Sequence, residues 1–359
     1  MAFAKKDHLV GLDIGSQCIK VAEMETAKTG WALKKFGMLE LEPNLIEDGI
    51  IKDRDGVSDA IKTLFKDHHI KEKKVAVSIG GYSIIVKKIN VQTMTEAQLL
   101  ETIHFEAEQY IPFDINDVNL DFQILGENEN NPNQMNVLLV AAKKDLIDDY
   151  LSVVQSAGRH ASIIDVDAFA LQNIYETNYL STGETADETD EIPVTLLDIG
   201  ASKTSLNILS GTTSLFMRDI SLGCSQINHE IMSQSECSFQ DAERIKSGNS
   251  DDRISEANVT SILSSFAEEW VTEIRRALDF FYSSLGDREI DKILLGGGGS
   301  NMNMLRELLS TETELPIEII NPFENIDIGN HKHDASYLQQ VAPQAAIAMG
   351  LALRRVDDK

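Results

Sequence analysis

Apolar and polar residues alternate along the N-terminal half of the chain in the pattern of short strands and amphipathic helices. The pattern predicts strands at 8–14, 18–25, 31–41 and 74–79 and a helix at 56–67. The second half opens in the same way, with strands at 193–199, 204–210 and 213–219 followed by helices. Because both halves begin with three consecutive strands, the pattern favours a duplicated α/β fold.

A separate strand–helix–strand–strand–helix unit is predicted at 84–160, where it interrupts the first domain. Its first helix begins at a capping box formed by Thr95 and Gln98 and stops before Pro112. Its other elements are strands at 83–92, 117–125 and 135–142 and a helix at 145–157. A strand at 161–166 and the helix after it then return the chain to the first domain.

The second half continues with a long helix at 255–285 and an apolar strand at 292–295 that ends in the glycine run Gly296–Gly299. Pro343 is predicted to be the first residue of a final helix that ends at Arg354. The length of 359 residues favours two full domains. The predicted boundaries are 8–83 with 161–192 and 341–355 for the first domain, 84–160 for the inserted unit, and 193–340 for the second domain.

The composition narrows the range of functions. A net charge of −26 leaves no basic face to offset phosphate repulsion, which argues against a nucleic-acid partner. No apolar run is long enough to cross a bilayer, and the basic N-terminus leads into a strand and not into a signal-peptide core. Three cysteines without CxxC spacing fit a reducing compartment. These features together predict a cytoplasmic protein.

Two short segments, 10–16 and 196–202, are near copies of each other. Each is an apolar strand that runs into Asp-x-Gly and a tight turn, and a second strand follows. The aspartate can hold a hydrated Mg²⁺, and the glycine lets backbone N–H groups approach phosphate oxygens. One such turn is ordinary. A copy at the head of each half predicts a site where two domains clamp a triphosphate and its metal.

The candidate ligand-binding residues come from elements that this prediction brings to one cleft. Asp13 and Asp198 would hold the metal through water. The terminal phosphates would be contacted by Gly15, Ser16, Lys20, Gly200 and Thr204. The nucleoside would lie among Gly296, Gly297, Gly298, Glu243 and Lys246, the last two bracketing ribose and base. A glycine run is also typical of an ordinary turn, and the last pair also fits a surface ion pair, so both alternatives stay open.

Four motifs follow one another along the chain: Asp13-x-Gly15-Ser16-x-x-x-Lys20, Asp167-Ala-Phe-Ala170, Asp198-x-Gly200 and Leu295-Gly-Gly-Gly298. Their order resembles the ATP-binding superfamily of actin, Hsp70 and FtsA. Further segments resemble the PilM family of type IV pilus assembly proteins, and the similarity covers nearly the whole chain. These segments are Glu106–Pro112, Val118–Phe122, Val137–Ala142, Asp165–Leu171 and Gly350–Arg354.

The resemblance implies an α/β fold of two actin-like (ribonuclease H-like) domains with an FtsA-type subdomain inserted at 84–160. It implies ATP and Mg²⁺ as ligands and the role of an adaptor on the inner-membrane platform that assembles type IV pili for twitching motility. The implied partner is the N-terminal cytoplasmic tail of PilN, followed by other platform proteins and the pilus motor ATPases. FtsA carries an amphipathic membrane tail, whereas this chain ends at Asp357-Asp358-Lys359. We therefore expect no direct membrane insertion, and recruitment to the inner face of the membrane through a partner.

The middle hairpin departs from the pattern of Hsp70 and FtsA. It carries Lys203, and Ser205 stands where a second acid is expected. Asp167 is the catalytic candidate for orienting an attacking water, and a helix N-cap is its alternative role. We expect an ATP-gated adaptor with slow hydrolysis, and an ATPase whose turnover drives assembly is the first alternative. A small-molecule kinase is less favoured, because no segment obviously supplies a substrate pocket and catalytic acid.

Overall fold

The computed structural model describes residues 8–28, 30–47, 49–128, 131–180, 192–285, 288–329, 334–356 and 358. Its strands are β1 (Val10–Ile14), β2 (Cys18–Thr26), β3 (Trp31–Glu40), β4 (Ile46–Glu47), β5 (Ile50–Ile51), β6 (Lys74–Ile79), β7 (Ile84–Gln92), β8 (Val118–Glu127), β9 (Gln134–Lys143), β10 (His160–Val166), β11 (Val194–Ile199), β12 (Thr204–Ser210), β13 (Thr213–Ile220), β14 (Ile293–Gly296), β15 (Ile317–Ile319) and β16 (Ile326–Asp327). Its helices are α1 (Arg54–Asp67), α2 (Glu96–Glu108), α3 (Lys144–Ser156), α4 (Asp167–Asn178), α5 (Cys224–Ser235), α6 (Phe239–Lys246), α7 (Glu256–Leu285), α8 (Asn303–Thr313) and α9 (Ala335–Ala352). Of these described helices, none combines the length and apolarity that a bilayer crossing requires.

Each half is built on a mixed sheet with the same internal plan. The first sheet is ordered β10-β6-β1-β2-β3-β16 and the second β13-β12-β11-β14-β15. In both, the leading strand (β1 or β11) pairs antiparallel with the next strand and parallel with the strand on its other side. All five residues of β1 are buried. Burial on both faces explains why this strand is apolar except at Asp13 and does not alternate between apolar and polar residues. The predicted duplication is confirmed.

Helices α4 and α9 pack against each other where the two halves meet. Their shared core takes Met24 from the first sheet, Leu196 from the second and Ala345 from α9. At the helix crossing, a Cβ on Gly350 would lie 1.8 Å from the carbonyl oxygen of Ala170. The missing side chain lets the helices approach closely. The two halves therefore share a hydrophobic core.

Residues 84–143 form a small three-stranded sheet, ordered β7-β9-β8, with α2 on one face. Alternate residues of β9, including Val137 and Leu139, are buried against α2, so Leu138 and Val140 lie on the opposite face. The predicted capping box is confirmed. The Gln98 amide donates to Thr95 Oγ1 (3.3 Å), and the Thr95 amide donates to Gln98 Oε1 (2.9 Å).

Helix α3, which the prediction groups with the inserted unit at 84–160, packs against the first half. Its buried residues Tyr150, Val153 and Val154 belong to the core of the first half, where the helix lies against α1 and β10. Its apolar stripe therefore finds its partner outside the small sheet. The part of the insertion with a core of its own ends with β9.

Pro343 is not at the start of the last helix, so that prediction is wrong. Helix α9 begins after Asp334, whose side chain caps the amides of Ser336 and Tyr337, and Pro343 lies inside it. Proline cannot donate to the carbonyl of Gln339 one turn earlier, which ordinarily weakens a helix. Here almost every residue from Val341 to Ala352 is buried, so packing of the helix between the two halves outweighs that loss.

Candidate functional site

The two predicted hairpins face each other where the two halves meet, in the region that the sequence predicts to be a cleft. Ser16 Oγ in the first turn lies 3.0 Å from Ser202 Oγ in the second. Beside them, Gln17 Nε2 donates to Ser225 Oγ (2.9 Å). Residues far apart in sequence are thus brought together at the tips of equivalent turns.

Both turns close in the same way. The Gly15 amide donates to Cys18 O (3.2 Å), and the Gly200 amide donates to Lys203 O (2.9 Å). A Cβ on Gly15 would lie 2.9 Å from that same Cys18 oxygen. These two glycines therefore shape the turns.

The aspartates of the two hairpins occupy equivalent positions but have different neighbours. Asp13 stands opposite Lys20 in the strand register, and Lys20 Nζ lies 3.0 Å from Asp13 Oδ2. Asp198 stands opposite Ser205. Burial, reinforced by the negative charges of Asp167 and Asp13, raises the pKa of Asp198 to about 7.

Asp167 is held by Lys203 from the opposite half. Lys203 Nζ lies 2.9 Å from Asp167 Oδ2 and 3.5 Å from Asp219 Oδ2, and Asp219 also accepts from the Gly81 amide (2.8 Å). Burial alone would raise the pKa of Asp167, but the Lys203 ammonium outweighs it and the pKa is lowered. The residue before the helix is Val166, so the N-cap alternative for Asp167 is wrong.

Gly80 and Asp219 are site residues that the sequence analysis missed. A Cβ on Gly80 would lie 1.8 Å from Lys203 Nζ and 2.2 Å from Asp167 Oδ2. The available signal was the pair Gly80-Gly81 at the carboxyl end of β6, a strand that runs parallel to β1. Carboxyl ends of parallel strands are where such folds place ligands.

The glycine run lies against the end of β11. Gly297 has φ +78°, and a Cβ there would lie 2.3 Å from the carbonyl oxygen of Ile199. A Cβ on Gly296 would lie 3.3 Å from Asp198 Oδ1, and Gly298 opens a 3₁₀ turn before α8. The run therefore places bare backbone beside the carboxylate of the second hairpin.

Glu243 and Lys246 form an ion pair of 2.6 Å, and Asn228 Nδ2 donates to the same Glu243 oxygen (2.7 Å). Asn228 lies one turn further along α5 than Cys224, whose sulfur would lie 3.0 Å from a Cβ on Gly299. The Lys246 side chain is only 12% exposed. The ion-pair alternative thus describes the geometry of Glu243 and Lys246, and their contact with a nucleoside stays a prediction.

Thr204 does not present its hydroxyl to the cleft, which corrects that prediction. The residue is fully buried; its Oγ1 accepts from Trp270 Nε1 (2.9 Å) and donates to Leu222 O (2.8 Å). A strand residue next to the turn points into the core here because side chains alternate between faces.

The cleft suits a hydrated hard cation better than a fully protein-ligated one. In the described part of the chain, no group of three or more His, Cys, Asp or Glu side chains is placed to hold a metal ion. Asp13 and Asp198 supply the one or two carboxylates that Mg²⁺ commonly takes from protein, with water and phosphate oxygens completing its shell. The residues present fit Mg²⁺ held in that way.

Two sheets of equal plan, each with an Asp-x-Gly hairpin at a shared cleft, define an actin-like protein. A family model described as type IV pilus assembly protein PilM matches residues 11–356, and the chain belongs to this family. The solved PilM-PilN type IV pilus biogenesis complex matches with a TM-score of 0.85 at 27% identity, covering 98% of this chain and 100% of that one. The resemblance drawn from the motifs is confirmed.

Two more distant structures share the fold. The ethanolamine utilization protein EutJ from Carboxydothermus hydrogenoformans matches with a TM-score of 0.57 at 12% identity, over 96% of this chain and 89% of that one. MreB 5 of Spiroplasma citri, bound to AMPPNP, matches with a TM-score of 0.52 at 13% identity, over 97% and 95%. At these identities the likeness concerns the fold alone.

Proposed function

We propose that this chain binds ATP with Mg²⁺ between its two hairpins and acts as an adaptor on the inner-membrane platform that assembles type IV pili. The observation that carries the proposal is the meeting of the two turns at Ser16 and Ser202, 3.0 Å apart, with Asp13 and Asp198 at equivalent positions of the two hairpins. The AMPPNP-bound MreB 5 of the same fold supports a nucleotide in such a cleft.

Within this proposal, each part of the cleft has its own task. Asp13 and Asp198 hold hydrated Mg²⁺, while Ser16 and Lys20 contact the phosphates. The nucleoside lies on the glycine run beside the Glu243–Lys246 pair. Binding at both hairpins would favour the arrangement in which the halves are close, which is how a ligand selects a conformation.

Hydrolysis is slow in this proposal. Asp167, the candidate for orienting the attacking water, is engaged by Lys203 at 2.9 Å. A carboxylate paired with an ammonium group is a poor acceptor for a proton from water. Turnover should therefore stay well below the ~1–100 s⁻¹ of kinases.

The proposed partner is the N-terminal cytoplasmic tail of PilN, which brings the protein to the inner face of the membrane. Other platform proteins and the pilus motor ATPases are further proposed partners within the same assembly. The solved relative is a PilM-PilN complex. A candidate surface here is the sheet face turned away from α2, where Val86 stands opposite Val140. That face continues through Ile84 and Ala142 into the core of the first half. An extended apolar peptide can bind along this sheet face, from Val86 and Val140 to its border with the first half.

Calorimetric titration with ATP in the presence of Mg²⁺ tests the nucleotide site. Asp13→Ala and Asp198→Ala should each weaken binding by about tenfold or more, because each removes a charged ligand of the hydrated ion. Asp59→Ala is the matched control, since Asp59 is 74% exposed and forms an ion pair with neighbouring Lys62 on α1. Equal affinity in both cleft variants and the parent would contradict the proposed site.

A further inference from the structure

Lys203 lies in the turn between β11 and β12, where this chain departs from the hairpin expected of an ATPase. Its partners at 2.9 and 3.5 Å are Asp167 from the first half and Asp219 from the second, so its ammonium group bridges the cleft. The side chains of Lys203 and Asp167 are 23% and 18% exposed. The pair is therefore within reach of a ligand between the hairpins.

Gly80 fixes where this ammonium group lies. With 1.8 Å between Lys203 Nζ and the position of a Cβ on Gly80, any side chain there would displace the lysine. Gly80 follows β6 directly, at the carboxyl edge of the first sheet. The absence of a side chain at Gly80 thus leaves room beside the hairpin turns, and the Lys203 ammonium group occupies that room.

The two lysines of the cleft are held in different ways. Lys20 is paired with Asp13 of its own hairpin, in register across adjacent strands. Lys203 is paired with residues outside its own hairpin. A phosphate that binds between the hairpins can therefore replace Asp167 as the partner of the Lys203 ammonium group without changing the conformation of the turn. The exchange replaces one charge-assisted hydrogen bond with another.

The nucleoside end of the cleft lies elsewhere. The glycine run adjoins Cys224 at the start of α5, and the Glu243–Lys246 pair contacts the same helix one turn further on, through Asn228. A nucleoside seated there extends its phosphates toward the hairpin turns. The last phosphate then comes nearest to the side chain that crosses the cleft at the turn.

We propose that Lys203 binds the terminal phosphate of a nucleoside triphosphate and makes the cleft prefer a triphosphate to a diphosphate. The proposal rests on the proposed function, because it requires nucleotide between the hairpins. An ammonium group with a fixed position distinguishes the two nucleotides, because it contacts the third phosphate, which a diphosphate lacks. Lys203 is a specificity-determining residue in this arrangement.

The test compares the affinities for ATP and ADP, both with Mg²⁺, in the parent, in Asp167→Asn and in the double variant Lys203→Met/Asp167→Asn. Using Asp167→Asn as the background avoids leaving a partly buried carboxylate without its partner. We expect Asp167→Asn to keep the ATP-over-ADP ratio, even if both affinities change. The double variant should lower that ratio by about tenfold or more, mainly through ATP, as loss of one hydrogen bond to a charged group implies.

Lys34→Met is the matched control, because Lys34 forms an ion pair with Glu23 and is 40% exposed. It should change neither affinity. If Lys203 only neutralises Asp167, Asp167→Asn and the double variant will show the same ratio, and the proposal is overturned. A parent that binds ATP and ADP equally also overturns it, whereas a parent that binds neither refutes the nucleotide site itself. If the double variant does not fold, Lys203→Gln in the parent is measured in the same way and decides.

Discussion

Asp13 and Asp198 occupy equivalent positions in two hairpins, yet only Asp13 has a lysine across the strand. Asp198 is left in a buried place close to two other carboxylates, and its pKa rises to about 7 for that reason. Ionised Asp198 is therefore unfavourable when no cation lies beside it. Such a cost is typical of a residue that serves binding at the expense of stability.

We predict that Asp198→Asn stabilises the protein when nucleotide and Mg²⁺ are absent, and that the gain grows with pH. Because burial raises the pKa of Asp198 above the ordinary value for aspartate, the stability that the neutral acid contributes is present below about pH 4 and is lost as the pH rises through about 7. In thermal melts, the variant should exceed the parent by a few degrees at pH 8 and by less at pH 5.

Asp13→Asn provides the contrast for that measurement. It removes the partner of Lys20 and leaves a buried ammonium group unpaired, so it should lower the melting temperature at both pH values. A gain for Asp198→Asn that shrinks between pH 5 and pH 8 would show that its carboxylate is not destabilising.

At the scale of elements, the close crossing of α4 and α9 depends on the lack of a side chain at Gly350. At a solvent-exposed helix position, Gly→Ala stabilises by about 1 kcal/mol. At Gly350 we predict the opposite sign, a loss on the order of 1–3 kcal/mol, because the added Cβ meets the Ala170 carbonyl, which cannot move without its helix. Denaturant unfolding monitored by circular dichroism measures the change.

Gly80→Ala serves as the comparison for Gly350→Ala. The three atoms nearest to its Cβ would belong to the ends of the Lys203 and Asp167 side chains, which can move aside. It should therefore cost less stability than Gly350→Ala. A higher unfolding midpoint for Gly350→Ala than for the parent would show that the helix crossing has room to spare.

Local patterns predicted elements well where their physical cause is local. The hairpin strands follow from alternation, and the helix start at Thr95 and Gln98 follows from reciprocal hydrogen bonds within one turn. The pattern was wrong where tertiary packing decides, as for Pro343 inside α9. Helix α3 packs in the core of the first half, and the domain bounds that group it with the inserted unit stay a prediction. The Lys203–Asp167 pair joins different halves, so no local pattern contains it.

Across the whole molecule, the inserted sheet is tied to the opposite half just before β7. The Gly81 amide donates to Asp219, and the Tyr82 hydroxyl hydrogen-bonds to Ser221. Asp219 also lies 3.5 Å from Lys203 Nζ. Asp219 therefore contacts both Lys203 in the cleft and the segment just before β7. A ligand that displaces Lys203 can change the position of the inserted sheet through this residue.

We predict that a peptide with the N-terminal cytoplasmic sequence of PilN protects parts of 84–160 from hydrogen exchange and leaves the helices at 220–290 unchanged. A short peptide binds modestly, and repeated copies in a pilus machine would add avidity. Val140→Glu, which places a charge on the sheet face turned away from α2, should weaken binding by about tenfold or more.

Phe105→Glu is the control for the peptide experiment, because Phe105 lies on α2 and is 78% exposed, away from the sheet face that holds Val140. It adds the same charge to the same subdomain without burying it, so peptide protection should persist. Loss of binding in Phe105→Glu but not in Val140→Glu would move the peptide site to the outer side of α2. Protection confined to the second half, or none at saturating peptide, would exclude the inserted sheet as the docking surface altogether.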